Sequence, residues 1–235
     1  MLTSDWLAFW LTLKLATVST FFLLLLGIPL AWFLARTRFT GKSALEALIA
    51  LPIVLPPTVI GFYLLIAFAP ETITASVWQA VFGRPLAFSF DGLVLGSVIY
   101  SLPFVVQPLQ SRFEGIPRAT LLSAASLGAS PLDRFYSIVL PLSKRALLAA
   151  TGLGFCHTVG EFGIVLMIGG SIPGETQVLS VALFEHVESM NMQSAHRLAL
   201  CLLAFSFLSL LLLYSSNRPA MRWTGRNGNK DAGER

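Results

Sequence analysis

The apolar residues of this chain gather into blocks of about 20, the length that crosses a hydrocarbon core about 30 Å thick. In lipid, such blocks must satisfy their own backbone hydrogen bonds, which limits them to helices. Five blocks stand out, at residues 6–35, 44–69, 92–109, 146–168 and 198–214. Of 235 residues, 55% are hydrophobic and only 12% charged, against roughly 25% charged in a soluble domain. This excludes a disordered chain and an ordinary soluble globule. The expected fold is an all-α integral membrane protein of five transmembrane helices. The alternative is a sixth crossing at 178–187. That run is short and ends in Glu185, His186 and Glu188, which suits an outer re-entrant or interfacial helix better.

Orientation follows from the gaps between the blocks, because short cytoplasmic loops carry the excess of Lys and Arg. Arg36, Arg38 and Lys42 follow the first block, and Arg112, Arg118, Arg134, Lys144 and Arg145 follow the third. Arg218, Arg222, Arg226, Lys230 and Arg235 sit after the fifth, leaving only Lys14, Arg84 and Arg197 of the 16 basic residues for the other side. The pattern predicts an N-terminus outside and a C-terminus in the cytoplasm. The net charge of +4 and pI near 9.4 therefore report membrane orientation rather than nucleic-acid binding.

At 1.5 Å per residue the first block is about 45 Å long. Its start is expected in the outer interface, with Trp6 and Trp10 in the headgroup belt and Lys14 snorkelling. The opening MLTSD carries no Lys or Arg and no short apolar region with a cleavage site follows, so the first block reads as an uncleaved span. Residues 1–216 form one transmembrane domain, and the basic segment 217–235 is expected to be a poorly ordered cytoplasmic tail. Cys156 and Cys201 fall inside apolar blocks without metal-ligand spacing and read as packing residues.

The cytoplasmic stretch 111–145 is far longer than the usual connection of about 4–6 residues. Pro117 can open a helix over 118–127, and Gly128 stands where a left-handed residue would end it. Ser130 as N-cap, Pro131 at the first helical position and Asp133 three residues after the cap start a second helix. Leu132, Phe135, Tyr136 and Val139 are spaced as one apolar stripe, and Pro141 is expected to break the helix. The small residues at the corner, Ala124, Ala125, Gly128, Ala129 and Ser130, suit close approach by another protein's surface. Periodicity alone leaves open an elbow packed on its own spans.

Gly128, Ile138 nine residues further on, and Leu140-Pro141 together resemble the EAA loop of ABC-importer permeases. The chain departs from that pattern at its start, where Leu122, Ser123 and Ala124 occupy the EAA positions. The segments LPIVLPPTVIGFYLL (51–65) and GEFGIVLMIGGSIPGET (160–176) resemble molybdate permeases of the ModB type. The resemblance implies a type I ABC-importer permease fold in a bacterial inner membrane. It implies a homodimer, a cytoplasmic ABC ATPase dimer, an extracytoplasmic oxyanion-binding protein and no cofactor. It also implies that Ala124, Gly128, Ala129, Ser130, Leu132 and Asp133 contact the ATPase.

No G-x-x-x-x-G-K-[ST] phosphate loop is present, so energy is expected from a partner. Prolines 52, 56 and 57 with Gly61 permit a broken second span, which is expected to line the subunit interface and join the gate. Pro103 and Pro108 are expected to kink the third span similarly. Cargo release favours weak, uncharged contacts, making Thr58, Ser97, Ser101, Thr151 and Thr158 candidate liners; each has the alternative of bonding to its own helix. Glu161, in the outer half of the fourth span, would repel a dianion, and a structural role at the weak point 160–163 fits it better. The outer segment 172–191 is a candidate to meet the binding protein or to cap the pathway.

Two other classes remain open from sequence. His157 and Glu161, four apart on one helical face, have the spacing of a metal or acid/base pair in an intramembrane enzyme, or of a structural pair. A passive channel would need no ATPase. Within the transporter class, tungstate and sulfate are the nearest alternatives to molybdate.

Overall fold

The structure is a computed structural model that describes residues 3–216; the predicted tail at 217–235 lies outside the described residues. Among the described residues every regular element is a helix. The first block is a single helix, α1 (Thr3–Arg36), with Lys14 lying 4.4 Å from the ring centroid of Phe90. The third is α5 (Phe90–Glu114), opened by Ser89, whose hydroxyl accepts from the Gly92 amide. The fifth is α12 (Met192–Ser216).

These three helices are each long and apolar enough to cross a membrane, and counting each of two bent helix pairs as one span gives five. Their most apolar stretches divide the work. That of α5 is 61% buried inside the protein and that of α12 only 6%, so α5 is the central helix and α12 lies at the periphery.

The second block is two helices, α2 (Lys42–Val54) and α3 (Pro57–Ala67), bent by 114°. Neither Pro56 nor Pro57 carries an amide proton, so the ladder stops where the sequence predicts a break. The angle goes far beyond a kink and turns α3 away from a straight crossing. A helix that sequence reasoning missed, α4 (Ile73–Phe82), follows in the next loop. Thr72 caps its start and left-handed Gly83 ends it, a pair of signals legible in the sequence.

The fourth block also departs from the single crossing expected for it. It divides into α9 (Lys144–Val159) and α10 (Gly163–Gly169), with Gly160, Glu161 and Phe162 between them. By contrast, Pro103 and Pro108 leave α5 one uninterrupted helix. The outer run forms α11 (Leu179–Glu188), whose 10 residues reach about 15 Å and cannot cross a bilayer.

The core lies where α1, α5 and α9 meet, around Leu23, Leu34, Val105, Leu109 and Ala150, all fully buried. Small residues set the spacing. A Cβ on Gly27 or on Gly154 would come within 2.9 Å of a Val105 methyl, so these glycines let the neighbouring helices close on α5.

The long stretch between the third and fourth blocks is structured. α6 (Arg118–Ser126) is followed by α7 (Pro131–Arg134), which runs through a π-helical turn at Phe135–Val139 into α8 (Leu140–Leu142). Pro141 does not break this helix. The Leu140 amide reaches back five residues to the Phe135 carbonyl, and that widened turn makes room for the proline ring. The chain turns at Ser143 instead, with a bend of 75° into α9.

Candidate functional site

Two breaks in helical backbone come together where α3 packs against α10. A Cβ on Gly163, at the start of α10, would stand 3.1 Å from the Pro57 Cβ and 3.4 Å from the Thr58 Cγ2. One on Gly61 would stand 2.7 Å from the Met167 Cβ and 3.2 Å from the Ile164 Cα. The glycines allow α3 and α10 to pack backbone against backbone, with Pro56 as N-cap of α3. Four of the predicted gate residues, Pro56, Pro57, Thr58 and Gly61, thus border the α9–α10 break.

The other three, Ser101, Thr158 and Glu161, are joined by hydrogen bonds on its far side. Glu161 is buried, with its carboxylate accepting from Ser97 Oγ and Ser101 Oγ of α5, both at 2.6 Å. Its backbone carbonyl accepts from Ser180 Oγ of α11 at 2.5 Å. A residue in the unwound segment therefore ties three elements together. The Ser101 oxygen also lies 2.8 Å from His157 Nδ1. With the Ser101 proton donated to the carboxylate, the contact to His157 requires the imidazole proton on Nδ1. The imidazole ring stacks on Phe104 at 3.9 Å between centroids and tilts against Tyr100 at 4.9 Å.

The His157–Glu161 spacing thus builds a hydrogen-bonded chain through Ser101, with the direct Nδ1 to Oε1 separation longer at 3.5 Å. Of the candidate liners, Thr158 Oγ1 donates to the Gly154 carbonyl and Thr151 Oγ1 to the Leu147 carbonyl, each bonding its own helix. Sequence reasoning missed the partners Ser180 and Phe104. It also missed a second buried contact, His186 Nε2 to Asp5 Oδ1 at 3.0 Å, which joins α11 to the start of α1. Nothing in local pattern marks contacts between residues so far apart in sequence.

The elbow formed by α6 and α7 is the other candidate site. Gly128 has φ +87°. Its amide donates to the Ala125 carbonyl at 2.9 Å and the Ala129 amide to the Ala124 carbonyl at 3.0 Å, the two bonds of a Schellman cap. Ser130 and Asp133 form a reciprocal capping box, with the Asp133 amide donating to Ser130 Oγ and the Ser130 amide to Asp133 Oδ2, both at 3.1 Å. The Ser130 hydroxyl also donates to Oδ2 at 2.6 Å. These bonds, side chain first and backbone second, hold the Asp133 pKa below the usual carboxylate range.

The predicted apolar stripe is split between two surroundings. Phe135 packs against Trp32 and Phe113, with centroids 5.4 and 6.4 Å away, and Val139 is fully buried. Leu132 and Tyr136 face outward with Leu122 and Leu127, the last 89% exposed. The inner half anchors the elbow to α1 and α5, leaving the outer half uncovered. Two arginines strengthen that anchorage. Arg112 donates to the Leu142 carbonyl at 2.6 Å, and Arg36 to the carbonyls of Phe113 and Ile116 at 2.8 and 3.1 Å.

Residues 27–220 match the family described as binding-protein-dependent transport system inner membrane component. The chain belongs to this family. It is 51% identical over 214 residues to the molybdenum transport system permease protein ModB of Azotobacter vinelandii, covering 91% of this chain and 95% of that protein. The ModB of Escherichia coli K12 is 34% identical over 209 residues, covering 88% and 91%. The E. coli K12 sulfate transport system permease protein CysT is 34% identical over 219 residues, covering 93% of this chain and 78% of its own.

Among solved structures, a bacterial ABC transporter that imports alginate superposes with a TM-score of 0.76 at 14% identity, covering 94% of this chain and 82% of that one. The MetNI methionine transporter superposes with a TM-score of 0.61 at 15% identity, covering 89% and 94%. The fold is that of an ABC-importer permease, and the chain is a multi-pass inner-membrane component.

Proposed function

We propose that this chain is the permease subunit of an ATP-driven importer for molybdate. The observation that carries the reading is the 51% identity to a molybdenum permease along nearly the whole of both chains. Two copies form the pathway, a cytoplasmic ABC ATPase dimer drives it, and an extracytoplasmic binding protein delivers the oxyanion. The N-terminus is outside and the C-terminus in the cytoplasm, which the distribution of Lys and Arg supports.

Coupling runs through the elbow. Ala124, Gly128, Ala129, Ser130, Leu132 and Asp133 form the seat for the ATPase, and the exposed side chains of Leu127 and Leu132 suit an apolar cleft. Motion there enters the bundle through Phe135, Arg112 and the start of α9. It reaches the gate at the meeting of the α2–α3 and α9–α10 breaks, where Pro56, Pro57, Thr58, Gly61, Ser101, Thr158 and Glu161 lie. Unwound backbone is tolerated at membrane depth where it lines a cavity or is buried in protein. Glu161 acts as a latch on the gate, since an ionised carboxylate would repel a dianion.

The test is uptake of radiolabelled molybdate by cells lacking their own system, with molybdate, tungstate and sulfate as competitors. Competition by molybdate and tungstate but not by sulfate supports the proposal. The similarity to a sulfate permease over 93% of the chain makes sulfate the second reading, which strong competition by sulfate would establish.

A further inference from the structure

Between α1 and α5, roofed by α4, runs a groove of about 440 Å³. Its walls are Val18, Phe22 and Leu26 of α1 with Val94 and Val98 of α5, and Trp78 covers it. Both wall helices span the membrane, and Phe22 and Leu26 stay exposed along its lip.

One end of this groove is polar. Lys14 sits one turn before Val18 on the same face of α1, as i, i+4 spacing requires, over the ring of Phe90, which lines the groove. Among the described residues no carboxylate pairs with it. Arg84 also lies at this end, 2.7 Å from Asp91, so the end keeps one uncompensated positive charge.

We propose that this groove holds one anionic phospholipid, with an acyl chain between α1 and α5 and its phosphate against Lys14. The order of groups along the groove, a cation at one end of an apolar trough, matches the order of headgroup and tail in a lipid. A helix from a second copy would fill the trough but leave the Lys14 ammonium desolvated without a counter-charge, a costly arrangement in hydrocarbon. A phosphate supplies that charge. The bound lipid braces the face of α5 that carries Val94 and Val98, beside the Ser97 that holds Glu161. The proposal rests on the chain's lying in a membrane and not on what it transports.

The test uses the permease–ATPase complex in nanodiscs doped with phosphatidylglycerol bearing a photoreactive diazirine on its acyl chain, with the matching phosphatidylcholine as control. Adducts are mapped by peptide mass spectrometry. Labelling should concentrate on α4 and on Val94 to Val98, favour phosphatidylglycerol, and fall about fivefold in Lys14→Ala while surviving in Lys14→Arg. Val94→Trp should block it. Equal labelling by both lipids that ignores Lys14→Ala would overturn the proposal. So would a disulfide between two copies of the Phe22→Cys variant, which would make the groove an interface between copies.

Discussion

Ser101 of α5 and Glu161, in the unwound segment before α10, stand 2.6 Å apart, hydroxyl to carboxylate, and Ser97 one turn earlier holds the other carboxylate oxygen at the same distance. A buried hydroxyl left without its acceptor costs about 1–3 kcal/mol, so neither bond is given up cheaply. Any motion that carries α10 away from α5 has to break both. The relationship therefore sets how firmly the broken helix is held in the state seen here.

Glu161→Ala should destabilise the permease by about 3–5 kcal/mol, because two serine hydroxyls lose their acceptor in a buried site. Glu161→Gln keeps the shape and one acceptor, and should cost about half as much. Thermal unfolding of the purified complex checks both. Equal melting of the Ala variant and the wild type would mean that the contact does not hold the break.

Gly128 takes φ +87°, and a Cβ built there meets no atom within 4 Å. The cost of Gly128→Ala is therefore backbone strain alone, about 1–2 kcal/mol, and it falls on the elbow rather than on the bundle. The account expects normal assembly in the membrane with uptake reduced relative to ATP hydrolysis, and partial recovery in Gly128→Asn. Measuring both rates in one preparation decides it.

The capping box gives the elbow a pH dependence. The Asp133 pKa is lowered in the folded state by the Ser130 hydroxyl and amide, so its contribution is present at pH values above the ordinary carboxylate range. It is lost as pH falls through the depressed folded value. A carboxyl titration followed by NMR should show Asp133 moving back up toward the ordinary range in Ser130→Ala. An unchanged titration would remove Ser130 as the cause.

Gly154 tests the packing of the core. A larger side chain there meets Val105 and Leu23, both fully buried, so Gly154→Leu should lower the yield of folded protein sharply. Gly154→Ala should be milder but still destabilising, because its methyl would stand 2.9 Å from a Val105 methyl and must displace that buried, stiff side chain. Detergent-solubilised yield and size-exclusion profile read the difference.

The sequence made the helical class, the five apolar blocks and the elbow legible, because hydrophobic length and capping chemistry are local properties. Ser130, Asp133 and Gly128 each do in three dimensions what their residue types require. The breaks were legible only in part. Prolines 56 and 57 say where backbone hydrogen bonds are missing, yet the 114° turn depends on how α3 packs against α10. Pro141 misled for a related reason: proline ends a helix only when the preceding turn cannot widen, and here a π-turn absorbs it. The stripe at Leu132, Phe135, Tyr136 and Val139 had the right period, but the bundle covers only part of it. Helix α4 is too short to register as a span. The network around Glu161 needs residues from three helices, and no window along the chain contains them.

The most direct test of the account is molybdate uptake into proteoliposomes that hold the permease with its ATPase, with the binding protein outside and ATP within. The account predicts uptake that stops when the ATPase, the ATP or the binding protein is left out, and that falls with Gly128→Ala while ATP hydrolysis continues. Uptake of molybdate at the full rate by the permease alone, without nucleotide, would contradict it.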